Sequence, residues 1–525
     1  MMDPKTIPFD LCRWYVQDYS TVIGDDLTQR ILGYVRARDL SRLTTCSELQ
    51  ADPAKHGLAT LKHLRQIESF FSKNEDLTSD LCRLAAKKSF YDSERKCRIT
   101  NKRLDFYYLN PDRLDPDIKF WIESSVKFCR NVLGDFDVFL ASLPRNIRFT
   151  PGATASLSRR ESTPYLKLNK RMECTPSALP YVRALSKYFG YGELISGSTR
   201  LSNRVEFVPK SWKTERTIAC EPTGNLPLQL AFDEFVKDRL RRKTRIDLSS
   251  QTRNQEAARI GSIDGSISTI DLASASDTVA FNTVALLFPE DWFRYLNAIR
   301  SPYGKLGSDY IRYAKFSSMG NGSTFAIETL IFAAACFSVG SRTHCVYGDD
   351  ITIEKQFVPD LKRFMKFLGF TINYTKSFSD GPFRESCGTE WFNGTNVTPF
   401  YYRGWDKRKT LISHLVNGLA RIGLPEGRIW RFARDLVRDH KLLLVPSGED
   451  TTMGVHIPIS NAYREGLLQS TRRRTLHCPV FRAYVSKRAS RSCGDSRHLF
   501  LWYLTNYRRS GEGSDFISSR ILALR

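Results

Sequence analysis

Asp349 and Asp350 stand side by side in HCVYGDDITIE (344–354), behind a glycine and between two apolar, β-prone runs. Neighbouring carboxylates repel, and a turn needs only one Asp or Asn beside a Gly. A pair kept at such a point implies a cation, although a plain hairpin turn explains the four residues YGDD equally well in isolation. Asp271 in STIDLAS (268–274) is the third acid of interest. Held at short range with no Lys or Arg between them, three acids require compensation, which a hard divalent ion supplies. Mg²⁺ takes oxygen ligands, and two ions roughly 4 Å apart can stabilise both the attacking and the leaving oxygen of a phosphoryl transfer.

Two further stretches fit that chemistry. FVPKSWKTERTIACEP (207–222) carries Lys210, Lys213 and Arg216 between prolines, as expected of an ordered loop that meets a triphosphate; a solvated basic loop is the alternative. SSMGNGSTF (317–325) offers small residues and an amide at a helix start, where Asn321 or Ser318 can bond a ribose hydroxyl or simply cap the helix.

The elements that must position these groups can be read in order. STIDLAS alternates, putting Asp271 and Ala273 on one face of a strand and Ile270 and Leu272 on the other. Ile327, Leu330, Ile331 and Ala334 then form a helical stripe. Two short strands around the YGDD turn follow. Leu361, Phe364, Met365 and Leu368 predict a second helix, opened near Pro359 and closed at Gly369, and FTINY (370–374) predicts a last strand. Strand, helix, strand, strand, helix, strand is the ferredoxin-like order, which brings Asp271 beside Asp349 and Asp350.

Composition agrees with a polyanionic partner. The 525 residues include 79 Lys and Arg against 56 Asp and Glu, a formal charge of +23, which favours nucleic acid through counterion release. The longest uncharged apolar stretch, near 329–340, is too short to span a bilayer, and no membrane association is expected. The start of the chain lacks a secretory signal pattern, and the 12 Cys show no zinc spacing, so reduced thiols in a cytoplasm are expected. The aromatic and basic run FYYRGWDKRK (400–409), with Tyr401 and Arg403, is a candidate single-strand RNA contact, as is the cluster Arg472, Arg473 and Arg474.

Taken together, VPKSWKTER, STIDLASASD, FSSMGNGSTF, VYGDD, NYTKSF and GPFRESCG resemble the replicase subunit of the small positive-strand RNA bacteriophages (leviviruses), an RNA-directed RNA polymerase. The resemblance is strong from about Val205 to Arg403 and weak on the flanks. It implies metal ligation by Asp271, Asp349 and Asp350, joined by the backbone carbonyl of Leu272, with Asp350 more directly engaged than Asp349. It implies Mg²⁺ as two ions, with Mn²⁺ able to substitute. It makes Asp277 and Asn321, assisted by Ser318, the pair that senses the ribose 2′-hydroxyl. Asp277 lies six residues after Asp271 where many related polymerases have five, so Ser276 competes for that role. Lys376 takes the place of the residue proposed to protonate the pyrophosphate, though a phosphate contact is equally compatible, and GPFRESCG that of a hairpin supporting the growing 3′ end. The implied partners are template and product RNA, ribonucleoside triphosphates, host elongation factors Tu and Ts and a small-subunit ribosomal protein, in the cytoplasm of a bacterial host.

The expected architecture is therefore α+β: a right-hand polymerase with fingers, a ferredoxin-like palm and a helical thumb. Residues 1–200 are assigned to an N-terminal region and fingers, 201–262 to fingers carrying the basic loop, 263–403 to the palm with the catalytic aspartates, and 404–525 to a basic, mainly helical thumb. The competing functions are a reverse transcriptase-like polymerase and a non-catalytic RNA-binding protein with a palm fold.

Overall fold

The structure is a computed structural model that describes residues 3–45, 56–159, 162, 167, 172–188, 199–464, 469–473, 476–486 and 515–522. The strands that bear on the site are, in chain order, β1 (Ser202–Pro209), β2 (Glu215–Cys220), β3 (Ile267–Ile270), β4 (Tyr303–Leu306), β5 (Asp309–Arg312), β6 (Cys345–Tyr347), β7 (Asp350–Glu354), β8 (Phe383–Ser386) and β9 (Thr389–Phe392).

The ferredoxin-like order is present. β7 runs antiparallel between β3 and β6, with Ile270 opposite Ile351 and Tyr347 opposite Asp350. The free edge of β3 is joined by the following segment through bridges Leu272–Ile372 and Thr269–Phe378. The strand expected over 370–374 is thus reduced to its one bridge at Ile372. The Asn373 N–H donates to the Asp271 carbonyl as a ladder bond of that bridge, and the Lys376 N–H then closes a turn on the Asn373 carbonyl, so the chain turns away instead of extending. The expected sidedness of STIDLAS holds: Ile270 and Leu272 are buried, while Asp271 and Ala273 are half-buried on the opposite face.

Helix Thr324–Ser338 is buried far beyond its expected stripe, for Ala326 through Cys336 are all inside. A helix apolar on every face belongs in the middle of a core, and this one packs against helices Asn225–Thr244 and Pro116–Leu133. Helix Val358–Leu368 follows its pattern closely. Leu361, Phe364, Met365 and Leu368 are inaccessible, a proline lies in its first turn, and Gly369 closes it at φ +100°. Arg103, from the long helix Asp80–Leu109, donates to the Phe367 carbonyl at 2.8 Å at the same helix end.

The basic segment forms a second sheet, ordered β2, β1, β4, β5, in which Arg216 pairs with Val208. A hairpin of β8 and β9 lies below the first sheet, touching β3, β7 and helix Thr252–Asp264.

Two large apolar cores organise the chain. One gathers the helices around β3, β6 and β7. The other unites residues from both ends, among them Ile7, Leu11, Tyr15, Phe70 and Phe71 with Phe400, Tyr402, Ile412, Leu415, Leu419 and Ile429. Helices Ile7–Asp18 and Leu58–Ser72, within the stretch assigned to an N-terminal region and fingers, therefore share a core with helices Lys409–Ile422 and Arg428–His440. From Lys409 to His440 the regular elements are the helices Lys409–Ile422 and Arg428–His440; beyond them the described regular elements are strands apart from helix Ile459–Arg464. No helix among the described residues is long and apolar enough to cross a membrane. The cysteines whose side chains are described, from Cys12 to Cys387, are buried and unbridged.

Candidate active site

Asp271 leaves the end of β3 in a tight polar setting. Its backbone N–H donates to Ser377 Oγ at 3.1 Å, and its Oδ2 accepts from Asn373 Nδ2 at 2.7 Å. Across the sheet, Gly348 and Asp349 form the two-residue turn between the paired Tyr347 and Asp350. Gly348 has φ +61°, donates its N–H to Thr329 Oγ1 at 3.1 Å, and faces Phe325 so closely that a Cβ would lie 2.6 Å from the ring. Glycine is therefore required twice over, by the backbone conformation and by the helix beneath. Asp350 is held from below, its Oδ1 accepting the Cys387 N–H at 3.1 Å from the tip of the β8–β9 hairpin.

Electrostatics bring the three acids together. The Asp271 carboxyl is pushed up to about 6, first by burial and further by Asp349 and Asp350, against the opposing pull of Lys376 and Asn373. Asp350 is also raised by burial and by Asp349, with the Cys387 N–H and Lys376 opposing. Lys210 is depressed by loss of surrounding water and by Arg216 and Lys376, while Asp349 and Asp271 support its charge. Three acids and three cations thus share one field. Lys213, exposed in the β1–β2 turn, holds its ammonium 5.4 Å from the Trp212 ring centroid.

Among the described residues no three His, Cys, Asp or Glu side chains already stand as a closed metal-binding group. The donor chemistry nonetheless fits a hard divalent ion: mutually repelling, half-buried carboxylates, of which Asp271 and Asp350 each have one oxygen fixed by an N–H. Leu272 follows Asp271 directly with its side chain buried.

The remaining expected residues fall differently. Asp277 forms an ion pair with Lys315, Nζ to Oδ1 2.9 Å, and Lys315 is wholly inaccessible. Asn321 spends its Oδ1 on the N–H and hydroxyl of Ser323. Ser318 is buried, and its carbonyl accepts from Thr324 Oγ1. The glycine loop is wedged against β2, with Ala219 N–H donating to the Met319 carbonyl and a Cβ at Gly320 2.4 Å from the Ala219 carbonyl oxygen. This contact fixes the basic hairpin over the helix start. Tyr401 has Lys73 Nζ 3.5 Å from its ring centroid and bonds Glu390 through its hydroxyl, so one ring face is covered. Tyr401 and Arg403 line a cavity of about 660 Å³, along with Trp405 and His414, whose walls include none of the three acids. Arg472 and Arg473 lie on strand Gln469–Arg473, described by its backbone alone, and Arg474 lies outside the described residues.

One charged neighbour was absent from the sequence reading. Glu328 is 4% exposed within helix Thr324–Ser338, and its Oε2 accepts the Ser276 hydroxyl at 2.8 Å. Burial, then Asp349 and Asp277, push it up to about 8 against the Ser276 bond. A lone acid inside TFAIETLIFAAACFS was the available signal.

Residues 17–430 match the family model described as RNA replicase, beta-chain. The chain belongs to that family. It is 40% identical over 330 residues to the RNA-directed RNA polymerase subunit beta of Escherichia virus Qbeta, covering 61% of this chain and 55% of the relative. The corresponding subunit of Enterobacteria phage SP is 37% identical over 374 residues, 69% of this chain and 64% of the relative. The beta chain of Escherichia phage MS2 is 34% identical over 306 residues, 55% and 54%. The chain thus spans between half and two thirds of the length of these relatives. A solved structure, the RNA-dependent RNA polymerase of a human picorbirnavirus, has a TM-score of 0.31 at 11% identity over 46% of this chain and 55% of its own.

Proposed function

We propose that this replicase beta-chain family member is an RNA-directed RNA polymerase that copies a phage RNA genome. The reaction is template-directed attack of a 3′-hydroxyl on the α-phosphate of a ribonucleoside triphosphate, releasing pyrophosphate. The observation that carries the reading is the single electrostatic neighbourhood of Asp271, Asp349 and Asp350 with Lys210, Arg216 and Lys376.

Asp271, Asp349, Asp350 and the Leu272 carbonyl would hold Mg²⁺, as two ions that Mn²⁺ can replace, supplying positive charge at the reacting oxygens. Lys210, Lys213 and Arg216 bind the triphosphate, and the wedge between Ala219 and the glycine loop orients them toward the nucleotide. Asn373 and the Cys387 N–H fix the acids, so that little reorganisation accompanies catalysis. Lys376 lies within the field of Asp271 and Asp350, where it can neutralise or protonate the departing pyrophosphate. The cavity at Tyr401 and Arg403 belongs to the RNA path, with Arg472, Arg473 and Arg474 as further contacts. Template and product RNA and ribonucleotides are the partners; elongation factors Tu and Ts and a small-subunit ribosomal protein, met in a bacterial cytoplasm, complete the assembly.

The test is templated incorporation of labelled ribonucleotide by the full chain, purified from a bacterial host with whatever accompanies it. Asp350→Asn is expected to lower incorporation at least a thousandfold while RNA binding persists. Synthesis near the unsubstituted rate would defeat the reading.

A further inference from the structure

Helix Asp80–Leu109, 30 residues and ~45 Å long, is apolar on two opposite faces. Cys82, Ala86, Phe90, Cys97 and Leu104 form the buried one, which packs on β2 and helix Phe281–Leu287 and carries Glu94 toward Lys315. Leu81, Leu84, Tyr91, Ile99, Phe106 and Leu109 form the other, and all of them are exposed, from 38% at Tyr91 to 76% at Leu109. At 100° per residue these six fall within an arc of about 80°, across the helix from the buried set. Large apolar side chains scattered singly over a surface need no explanation, but a row of them along one helix marks a contact.

Exposed cations lie inside that arc. Leu81, Lys88, Arg95, Lys102 and Leu109 succeed one another at intervals of seven residues, close to two turns, and so make one row; Leu84, Tyr91, Ile99 and Phe106 make a second row beside it. Among the described residues Arg95 pairs with Asp92 at 3.3 Å, and Arg113 stands 5.9 Å from the Phe106 ring centroid, adding a further cation at the end of the stripe. The mixture decides between occupants. A second copy of the same face, laid antiparallel about Arg95, would set Lys88 against Lys102 and Arg95 against itself. A bilayer surface takes helices whose cations flank the apolar stripe, whereas here they run along it. Single-stranded RNA needs flat rings to stack on, and aliphatic Leu81, Leu84, Ile99 and Leu109 supply none. A helix with its own apolar row and carboxylates repeating every seven residues matches both rows at once.

We propose that the outward face of helix Asp80–Leu109 is a docking surface for an acidic amphipathic helix of a partner protein. Apolar side chains of that helix pack on Leu84, Tyr91, Ile99 and Phe106, and its carboxylates pair with Lys88, Arg95 and Lys102. The apolar row supplies affinity, and the cation row supplies the choice of partner and the speed of encounter. The inference does not depend on the polymerase reading above.

Two measurements on the full chain test it. In the first, a labelled synthetic helix carrying Leu in one row and Glu at every seventh position of the next is titrated against the chain, beside a twin with Lys in place of Glu. The Glu helix is expected to bind roughly tenfold or more tightly than its twin, and Lys88→Glu combined with Lys102→Glu is expected to reverse that order. Ile99→Asp should weaken binding of the Glu helix by a similar factor. All three side chains are exposed, so the fold is expected to tolerate each change. In the second, benzoylphenylalanine replaces Ile99 in bacterial cells and the segment captured on illumination is sequenced, with the same probe at Val138, 59% exposed on helix Phe136–Asn146, as reference. The expected capture, at Ile99 and not at Val138, is a helical segment of another protein with acidic residues at that spacing. Equal binding of the two synthetic helices overturns the inference. So does capture of lipid, RNA, a second copy of this chain or a basic segment, or no capture above that at Val138.

Discussion

Replacing Lys315 by Met tests whether the segment after Asp271 is held by charge. The ammonium is inaccessible, and although burial alone would depress it, Asp277 and Glu94 reverse that effect and raise it. Lys315→Met replaces the ammonium, which lies 4.3 Å from the Phe90 centroid and 5.0 Å from that of Tyr313, by an apolar end, and leaves Glu94, 1% exposed, and Asp277, 21% exposed, without their shared cation. Removing one partner of a buried pair costs about 3–5 kcal/mol, chiefly from the charge left behind. The lower end applies, because Asp277 reaches water and Glu94 Oε2 still accepts the Ala314 N–H at 2.7 Å. The expected loss is thus ~3 kcal/mol in urea unfolding at pH 7. Adding Glu94→Gln in the Lys315→Met background should restore ~1 kcal/mol or more, since a neutral amide tolerates burial better than an unpaired carboxylate. A Lys315→Met protein within about 1 kcal/mol of the original, or a double variant no better than the single, would refute a charge-held segment.

Glu328 gives a pH-dependent signature. Its carboxyl binds its proton up to about 8 in the folded chain against an ordinary value of 4.5, so the folded state holds more protons over that interval and stability falls as pH rises through it. Glu328→Gln should flatten that slope and raise stability at pH 9 by about 2 kcal/mol in urea unfolding without divalent ions; an unchanged slope would contradict the assignment. Gly348→Ala must place a methyl against Phe325 at φ +61°, and a loss of about 1–3 kcal/mol with at least a tenfold fall in incorporation is expected from melting and extension assays. Arg384 is inaccessible and donates to the carbonyls of Ile267, Ser379, Gly381 and Phe383, so Arg384→Lys, with three donors on a single atom, should lower stability by ~2 kcal/mol or more.

Periodicity and turn chemistry made much of the central sheet legible. Ile270 and Leu272 against Asp271, the helix from Val358 to Gly369, and Tyr-Gly-Asp-Asp as a turn all follow from local spacing and backbone preference. The local signal failed where a turn cut an apolar run short. FTINY reads as a full strand, yet it pairs only at Ile372, and the Lys376 N–H closes a turn on the Asn373 carbonyl straight after. Long-range partners were equally hidden: nothing near Asp277 in the chain announces Lys315, 38 residues on, or Glu94 in the long N-terminal helix. Glu328 was visible as an acid in an apolar helix, but its partner Ser276 lies 52 residues away.

These hidden partners share a pattern that bears on how the site keeps its shape. The acids repel one another, so their positions cannot be secured by the sheet alone. Buried cations from elsewhere supply the restraint. Helix Asp80–Leu109 reaches the Asp277 segment through Glu94 and Lys315, and helix Leu58–Ser72 reaches the supporting hairpin through Arg65, whose Nε bonds Glu390 at 2.7 Å. The same hairpin presents the Cys387 N–H to Asp350. Helix Leu58–Ser72 also sits in the core shared with helices Lys409–Ile422 and Arg428–His440. That core is therefore connected to Asp350 through one guanidinium, one β-hairpin and one amide. The register of the acids comes from the pairing of β7 with β3 and β6, and the hairpin bonded to Asp350 is itself tied to helix Leu58–Ser72.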